Sequence, residues 1–236
     1  MYMKVMTLDI MISNELRQYI TDQHLNYQDK LPSERELCEL FSIQRLTLRS
    51  AMKILEEMGI IYVVPKVGYF VAKQRITKNV NTIRLISEII KDHVSTYETK
   101  LFNLDEIEAD KYLCRETNLP LGTKFFKIKR LLIADSEPVC MDYCFIPVSL
   151  APELLDYKDE IENLNDILIK KYHLNFYRTT QRIRVIEAEK NYRDALELPH
   201  DAHVALLSGC IYDKNNHVLA FTESYMKYTR FAFELF

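Results

Sequence analysis

The chain has 236 residues, 48% apolar and 28% charged, an ordinary globular balance that allows one large domain or two modest ones. Its 31 basic and 34 acidic side chains leave a net charge of −3, which does not forbid nucleic-acid binding, since phosphate contacts depend on a local patch. The four glycines, Gly59, Gly68, Gly122 and Gly209, lie too far apart to cradle a phosphate, so P-loop and dinucleotide-binding fingerprints are absent. No apolar run approaches the ~20 residues of a membrane span. The opening MYMKVMTLDIMIS is broken by Asp9 and no small-residue cleavage site follows, so no signal peptide is expected. Five scattered cysteines (Cys38, Cys114, Cys140, Cys144, Cys210) read as reduced thiols of a cytoplasmic protein rather than a disulfide framework. The histidines show no metal-ligand spacing, and neither a metal site nor a cofactor is expected.

Residues 1–75 carry 10 basic and 9 acidic side chains, against 21 and 25 in the remainder. Leu8, Met11, Ile12, Leu16, Tyr19 and Ile20 recur at helical spacing and predict a first helix over 8–23. Ser33, three residues before Glu36, forms a capping-box signal for a second helix. A third runs from about Gln44 to Met58 and stops at Gly59. Two β-prone runs follow, Ile60–Val64 and Tyr69–Ala72, joined by the turn Pro65–Gly68. On the third helix Leu48, Ala51, Met52 and Leu55 make one apolar stripe, and Arg45, Arg49 and Lys53 an adjoining basic edge with Leu46 beside it. Basic groups at a helix N-terminus oppose the macrodipole. Helix, turn, helix and hairpin together make a helix-turn-helix with a wing.

The segment LPSERELCELFSIQRLTLRSAMKILEEMGIIYVVPKVGYFVAK resembles the winged-helix domain of GntR-type bacterial transcription regulators. The resemblance implies that Arg35 contacts the DNA backbone and that Arg45 and Arg49 enter the major groove. It further implies that the Lys66–Gly68 turn reaches the minor groove. Gln44 stands where the family usually has Ser or Thr, Thr47 belongs to the same reading surface, and Leu46 faces a thymine methyl. The wing departs from the family's Gly-x-Gly-Thr, reading Lys66-Val67-Gly68-Tyr69.

Residues 76–84 are polar without clear periodicity and read as a linker. Beyond it the sequence repeats at an offset of 79: Ile107–Lys111 matches Ile186–Lys190, and Leu119-Pro120 matches Leu198-Pro199. Each copy reads strand, helix, Leu-Pro, strand, polar turn, strand, which predicts an α+β sheet with helices on one face. Alternation places Arg130 among Phe126, Ile128 and Leu132, and Glu223 between Phe221 and Tyr225. Buried charges need partners. Periodicity alone leaves open whether these two are structural charges or hold a ligand between the copies.

Residues 85–236, through IKRLLIADSEPVCMDYCFIP, LNDILIKKYHL and HVLAFTESYMKYTRFAFELF, resemble the UTRA effector domain of the HutC branch of GntR regulators, a chorismate lyase-like fold. That resemblance implies an antiparallel-rich sheet and an effector pocket lined by Arg130, Asn165, Glu223 and Tyr225. Leu132 replaces a second arginine common in the branch. The expectation is a homodimeric, cytoplasmic regulator, a repressor reading an inverted-repeat double-stranded operator and released by a small metabolite such as a phosphosugar. The alternatives are an enzyme of the lyase-like fold and a constitutive DNA-binding protein without effector. No nucleophile–base pair at short spacing supports the enzyme.

Overall fold

A computed structural model describes residues 7–234; residues 1–6, the start of the apolar opening, and residues 235–236 lie outside the described residues. The chain divides between Arg75 and Ile76 into two units.

The first unit holds α1 (Leu8–Asp22), α2 (Glu34–Phe41), α3 (Arg45–Glu57) and the antiparallel hairpin β1 (Ile61–Val64) and β2 (Gly68–Val71). In α1 the buried ridge is Ile12, Leu16 and Ile20, spaced four apart, while Leu8 and Met11 stay exposed. Ser33 caps α2 in a full capping box: Ser33 Oγ accepts from the Glu36 amide at 3.3 Å, and the Glu36 carboxylate accepts from the Ser33 amide at 2.7 Å. Helix α3 buries Leu48, Ala51, Met52 and Leu55. It ends in a Schellman turn, the Gly59 amide donating to Glu56 and the Ile60 amide to Leu55. Gly59 has φ +69°, and a side chain there would collide with the Arg75 guanidinium. The hairpin also gains a third backbone partner, since residues 28–31 exchange hydrogen bonds with Tyr69 and Val71.

The second unit is built on a seven-stranded sheet of β4 (Tyr97–Glu108), β5 (Lys124–Ala134), β6 (Glu137–Pro147), β7 (Arg178–Thr179), β8 (Arg182–Glu187), β9 (His203–Tyr212) and β10 (Val218–Met226). The main path runs β4-β5-β6-β10-β9-β7 with β8 also on β9, and every pairing is antiparallel. This order mirrors itself about the β6–β10 pair, as a duplication requires. Helices α5 (Lys111–Thr117) and α7 (Lys190–Leu196) stand 79 residues apart at both ends. They pack on one face with Phe125, Tyr143, Phe145, Val204 and Phe221.

The opposite face is covered by α4 (Ile86–His93) and by a run of helical turns, Leu154–Asn163, α6 (Leu164–Asp166) and Ile167–Lys171. Neither was expected from the repeat. The supposed linker is also corrected. Residues Ile76–Asn79 form β3, parallel to β11 (Phe231–Glu234), with Ile76 and Lys78 buried. The segment is therefore a strap docked on the second unit. The hydrogen bonds come from a strand more than 150 residues away, a pairing no local pattern announces.

Candidate functional site

Polar groups gather in a groove of the first unit and at several places in the second. In the first unit, α2, α3 and the hairpin turn enclose a groove whose lining includes Glu34, Arg35, Arg45, Arg49, Lys66 and Gly68. Five of the eight residues picked from the sequence thus meet in one concavity. The others lie on the first turn of α3 or just before it: Gln44 is its N-cap, Leu46 is 78% exposed and Thr47 is half-buried. Glu34 organises the basic edge. Its carboxylate accepts from Arg45 Nε at 2.6 Å and from Arg49 Nε at 3.1 Å. Burial pushes the Glu34 carboxyl up, but the hydrogen bonds from Arg49 and Arg45 outweigh this and hold it below its ordinary value. Both arginines stay exposed, with side-chain accessibilities of 69% and 57%. Arg35 pairs with Glu39, at 3.0 Å. At the hairpin tip Lys66 is exposed in the left-handed region, φ 65°.

In the second unit the structure corrects the expected pocket. Arg130 pairs in register with Asp142, and Glu223 with Tyr143, so the two charges occupy opposite faces of the sheet. Arg130, 1% exposed, donates from Nη2 to Asp142 Oδ2 at 2.5 Å and from Nη1 to the Ile161 carbonyl at 3.2 Å, on the face covered by the helical turns. Glu223 lies on the α5/α7 face and accepts from the Tyr112 hydroxyl at 2.6 Å. Tyr225 stacks there on Tyr192 with centroids 4.0 Å apart, and burial pushes its hydroxyl up to about 12. Asn165 is on Arg130's side but lines a separate cleft, donating to Glu88 Oε1 at 2.5 Å. Alternation within each strand was read correctly. The relative phase of β5 and β10 is set by the register through β6, which strand periodicity does not contain.

A narrow cavity of about 20 Å³ lies beneath the strap. Its lining includes Lys78, Arg84, Asp142, Thr179, Gln181, Thr222 and Ser224. Ser224 Oγ donates to Asp142 Oδ1 at 2.8 Å, so Arg130 and Ser224 together orient that carboxylate. Gly209 also lines it and has no room for a side chain, because a Cβ there would collide with the Thr180 carbonyl. Lys78 was missed by the sequence reading, although alternation with Ile76 puts it on the buried side of β3. Desolvation, helped by the like charge of Arg84, lowers its ammonium to about 8. Among the described residues no group of three or more His, Cys, Asp or Glu could hold a metal ion, and no helix is long and apolar enough to cross a membrane.

Comparison with known proteins bears on the family of both units. Residues 10–71 match the model of the gntR family of bacterial regulatory proteins, and residues 93–232 match the UTRA domain. The chain belongs to the UTRA branch of the GntR family. It is 26% identical over 228 residues to the HTH-type transcriptional repressor NagR of Bacillus subtilis, covering 94% of this chain and 91% of that protein. It is also 26% identical over 144 residues to the mannosyl-D-glycerate transport/metabolism system repressor MngR of Escherichia coli, 61% of this chain and 60% of that one. The crystal structure of PhnF from Mycobacterium smegmatis superposes with a TM-score of 0.71 at 20% identity, over 95% of this chain and 98% of that one. This UTRA-branch protein is a transcription regulator, not an enzyme, and its two units are a winged helix-turn-helix and an α+β UTRA domain.

Proposed function

We propose that this regulator is a cytoplasmic, homodimeric repressor that reads an inverted-repeat operator through the first unit and leaves it when a small metabolite binds the second. The observation that carries the reading is the groove in which Arg35, Arg45, Arg49 and Lys66 converge while remaining exposed. In complex, Arg45 and Arg49 enter the major groove, with Gln44, Leu46 and Thr47 beside them on the first turn of α3. Arg35 and the Lys66–Gly68 tip hold the backbone on either side. One such unit spans only a few base pairs, so a two-fold protein on a two-fold site is the economical arrangement.

The effector reading is supported by two relatives whose names are those of repressors, one of them of a mannosyl-D-glycerate system. It is supported too by a cavity in the second unit whose lining includes Lys78, Arg84 and Asp142. A sugar derivative carrying an anionic group, such as a phosphosugar, suits that lining. Selection of bound fragments from a random duplex library, followed by footprinting, tests the first half: a protected inverted repeat is expected. Release of that duplex by a metabolite panel tests the second half. Protection of a single half-site by a monomer, or no metabolite altering binding, would contradict the corresponding half.

A further inference from the structure

Lys78 lies in the middle of the strap strand β3, 1% exposed, and its Nζ has no hydrogen-bond partner among the described residues. The other charges around the cavity are engaged. Arg84 is bridged to Asp92 at 2.7 Å, and Asp142 is held by Arg130 and Ser224. Gln181 adds a second orphan, its Oε1 buried without a donor among the described residues. A buried ammonium with no acceptor costs stability, and an unsatisfied buried polar group in a cavity marks a candidate site.

We propose that Lys78 is the counter-ion of the effector: a phosphate or carboxylate on the bound small molecule seats on its Nζ, while Asp142 and Gln181 accept from the ligand's hydroxyls. The inference rests on the regulatory reading above and adds to it a residue and a charge requirement. A cavity of about 20 Å³ has room for a water but not for a sugar, so seating the anion requires the strap to lift. The strap is suited to this. It is a four-residue strand on a single parallel neighbour, anchored by Ile76 and Ile86 in the core beneath it. Lys78 is three residues from Arg75, the last residue of the DNA-binding unit, so a shift of the strap acts directly on the connection between the units. A ligand alters operator affinity only if it prefers one of two states. An anion that stabilises the lifted strap supplies that preference.

The test uses the full chain with Lys78→Met and Lys78→Arg. The probes are inorganic phosphate, glucose 6-phosphate, glycerate and gluconate, with uncharged glucose as the control. Binding is read by calorimetry, folding by thermal melting and operator release by fluorescence anisotropy. At least one anionic probe is expected to bind the parent. Lys78→Met should bind it roughly 10- to 100-fold more weakly, the value of a charge-assisted hydrogen bond, and should melt higher than the parent without ligand. Lys78→Arg should retain binding. Stronger binding of the phosphorylated probes, or of the carboxylates, identifies the anion. Equal binding of every probe by parent and Lys78→Met, or no anion binding to the parent at all, overturns the proposal. An anion that binds through Lys78 yet leaves operator affinity unchanged supports the site and refutes the regulatory reading instead.

Discussion

The basic edge of α3 and the cavity under the strap both gather charge, and they differ in what surrounds it. Arg45 and Arg49 share Glu34 but keep more than half of each side chain in water. The arginine ends are already solvated, so handing them to a phosphate or a base edge would cost little desolvation of the guanidinium, whereas Glu34, with only 17% of its side chain accessible, would be left to find another partner. Arg130, Asp142 and Lys78 are almost wholly buried, at 1%, 3% and 1% exposure. Each buried charge must be matched in place, and one left unmatched weighs on the fold. On the proposed reading, the charges that would exchange partners with DNA stay at the surface. Those proposed to meet a small molecule sit inside, among buried neighbours.

Removing a charge from each region should therefore give opposite phenotypes. Arg130→Ala leaves Asp142 buried with only Ser224 and should cost about 3–5 kcal/mol of stability in denaturant unfolding. Arg130→Met combined with Asp142→Leu should recover most of that loss. If Arg130→Ala folded as well as the parent and lost only its ligand response, Arg130 would be a ligand contact, and the contrast would fail.

Arg45→Ala should leave stability within about 0.5 kcal/mol while weakening specific operator binding by about 1–3 kcal/mol. Lys66→Ala should weaken all duplexes alike and lower the salt slope by about 1. A sequence-selective loss in Lys66→Ala would place base recognition in the wing and move the reading edge away from α3. Ser33→Ala removes one arm of the capping box and should cost about 1 kcal/mol of stability in the first unit. An unchanged melting curve would show that Glu36 alone secures the start of α2.

The smallest effect is a pH dependence. Folding lowers Lys78 to about 8, first by burial and then by Arg84; the carboxylate lining the same cavity, Asp142, is already engaged by Arg130 and Ser224. The unfolded chain keeps that proton up to the ordinary lysine value of about 10.4. Between pH 8 and 10 the unfolded state thus binds more protons, and stability should rise with pH. Above pH 10 the sign reverses at Tyr97 and Tyr225, both pushed up to about 12 by burial, because the folded state then holds the extra protons. Unfolding free energies at pH 7.5, 8.5 and 9.5 should show the rise in the parent and a flatter profile in Lys78→Met. Parallel profiles would remove Lys78 as the titrating group.

Much of this protein was written locally. Ser33 and Glu36 marked the start of α2, Gly59 the end of α3, and the stripe Leu48, Ala51, Met52 and Leu55 its buried face. The basic edge followed from the same 100° rotation, so the groove residues were legible before any packing was known. The duplication was legible as well, since matched segments 79 residues apart fold into matched helices. All these signals act within a few residues, through hydrogen bonds and side-chain spacing inside one element.

Tertiary structure alone decided the rest. Strand alternation paired Arg130 with Phe126 and Glu223 with Phe221, but only the β5–β6–β10 register placed them on opposite faces. A pattern of period two carries no phase from one strand to the next. Residues 76–79 look like linker because their partner strand is Phe231–Glu234 at the far end of the chain. Burial of Lys78, and with it the candidate charge sensor, follows from that pairing. Desolvation is a property of everything packed around a residue, and no residue's own sequence neighbourhood contains it.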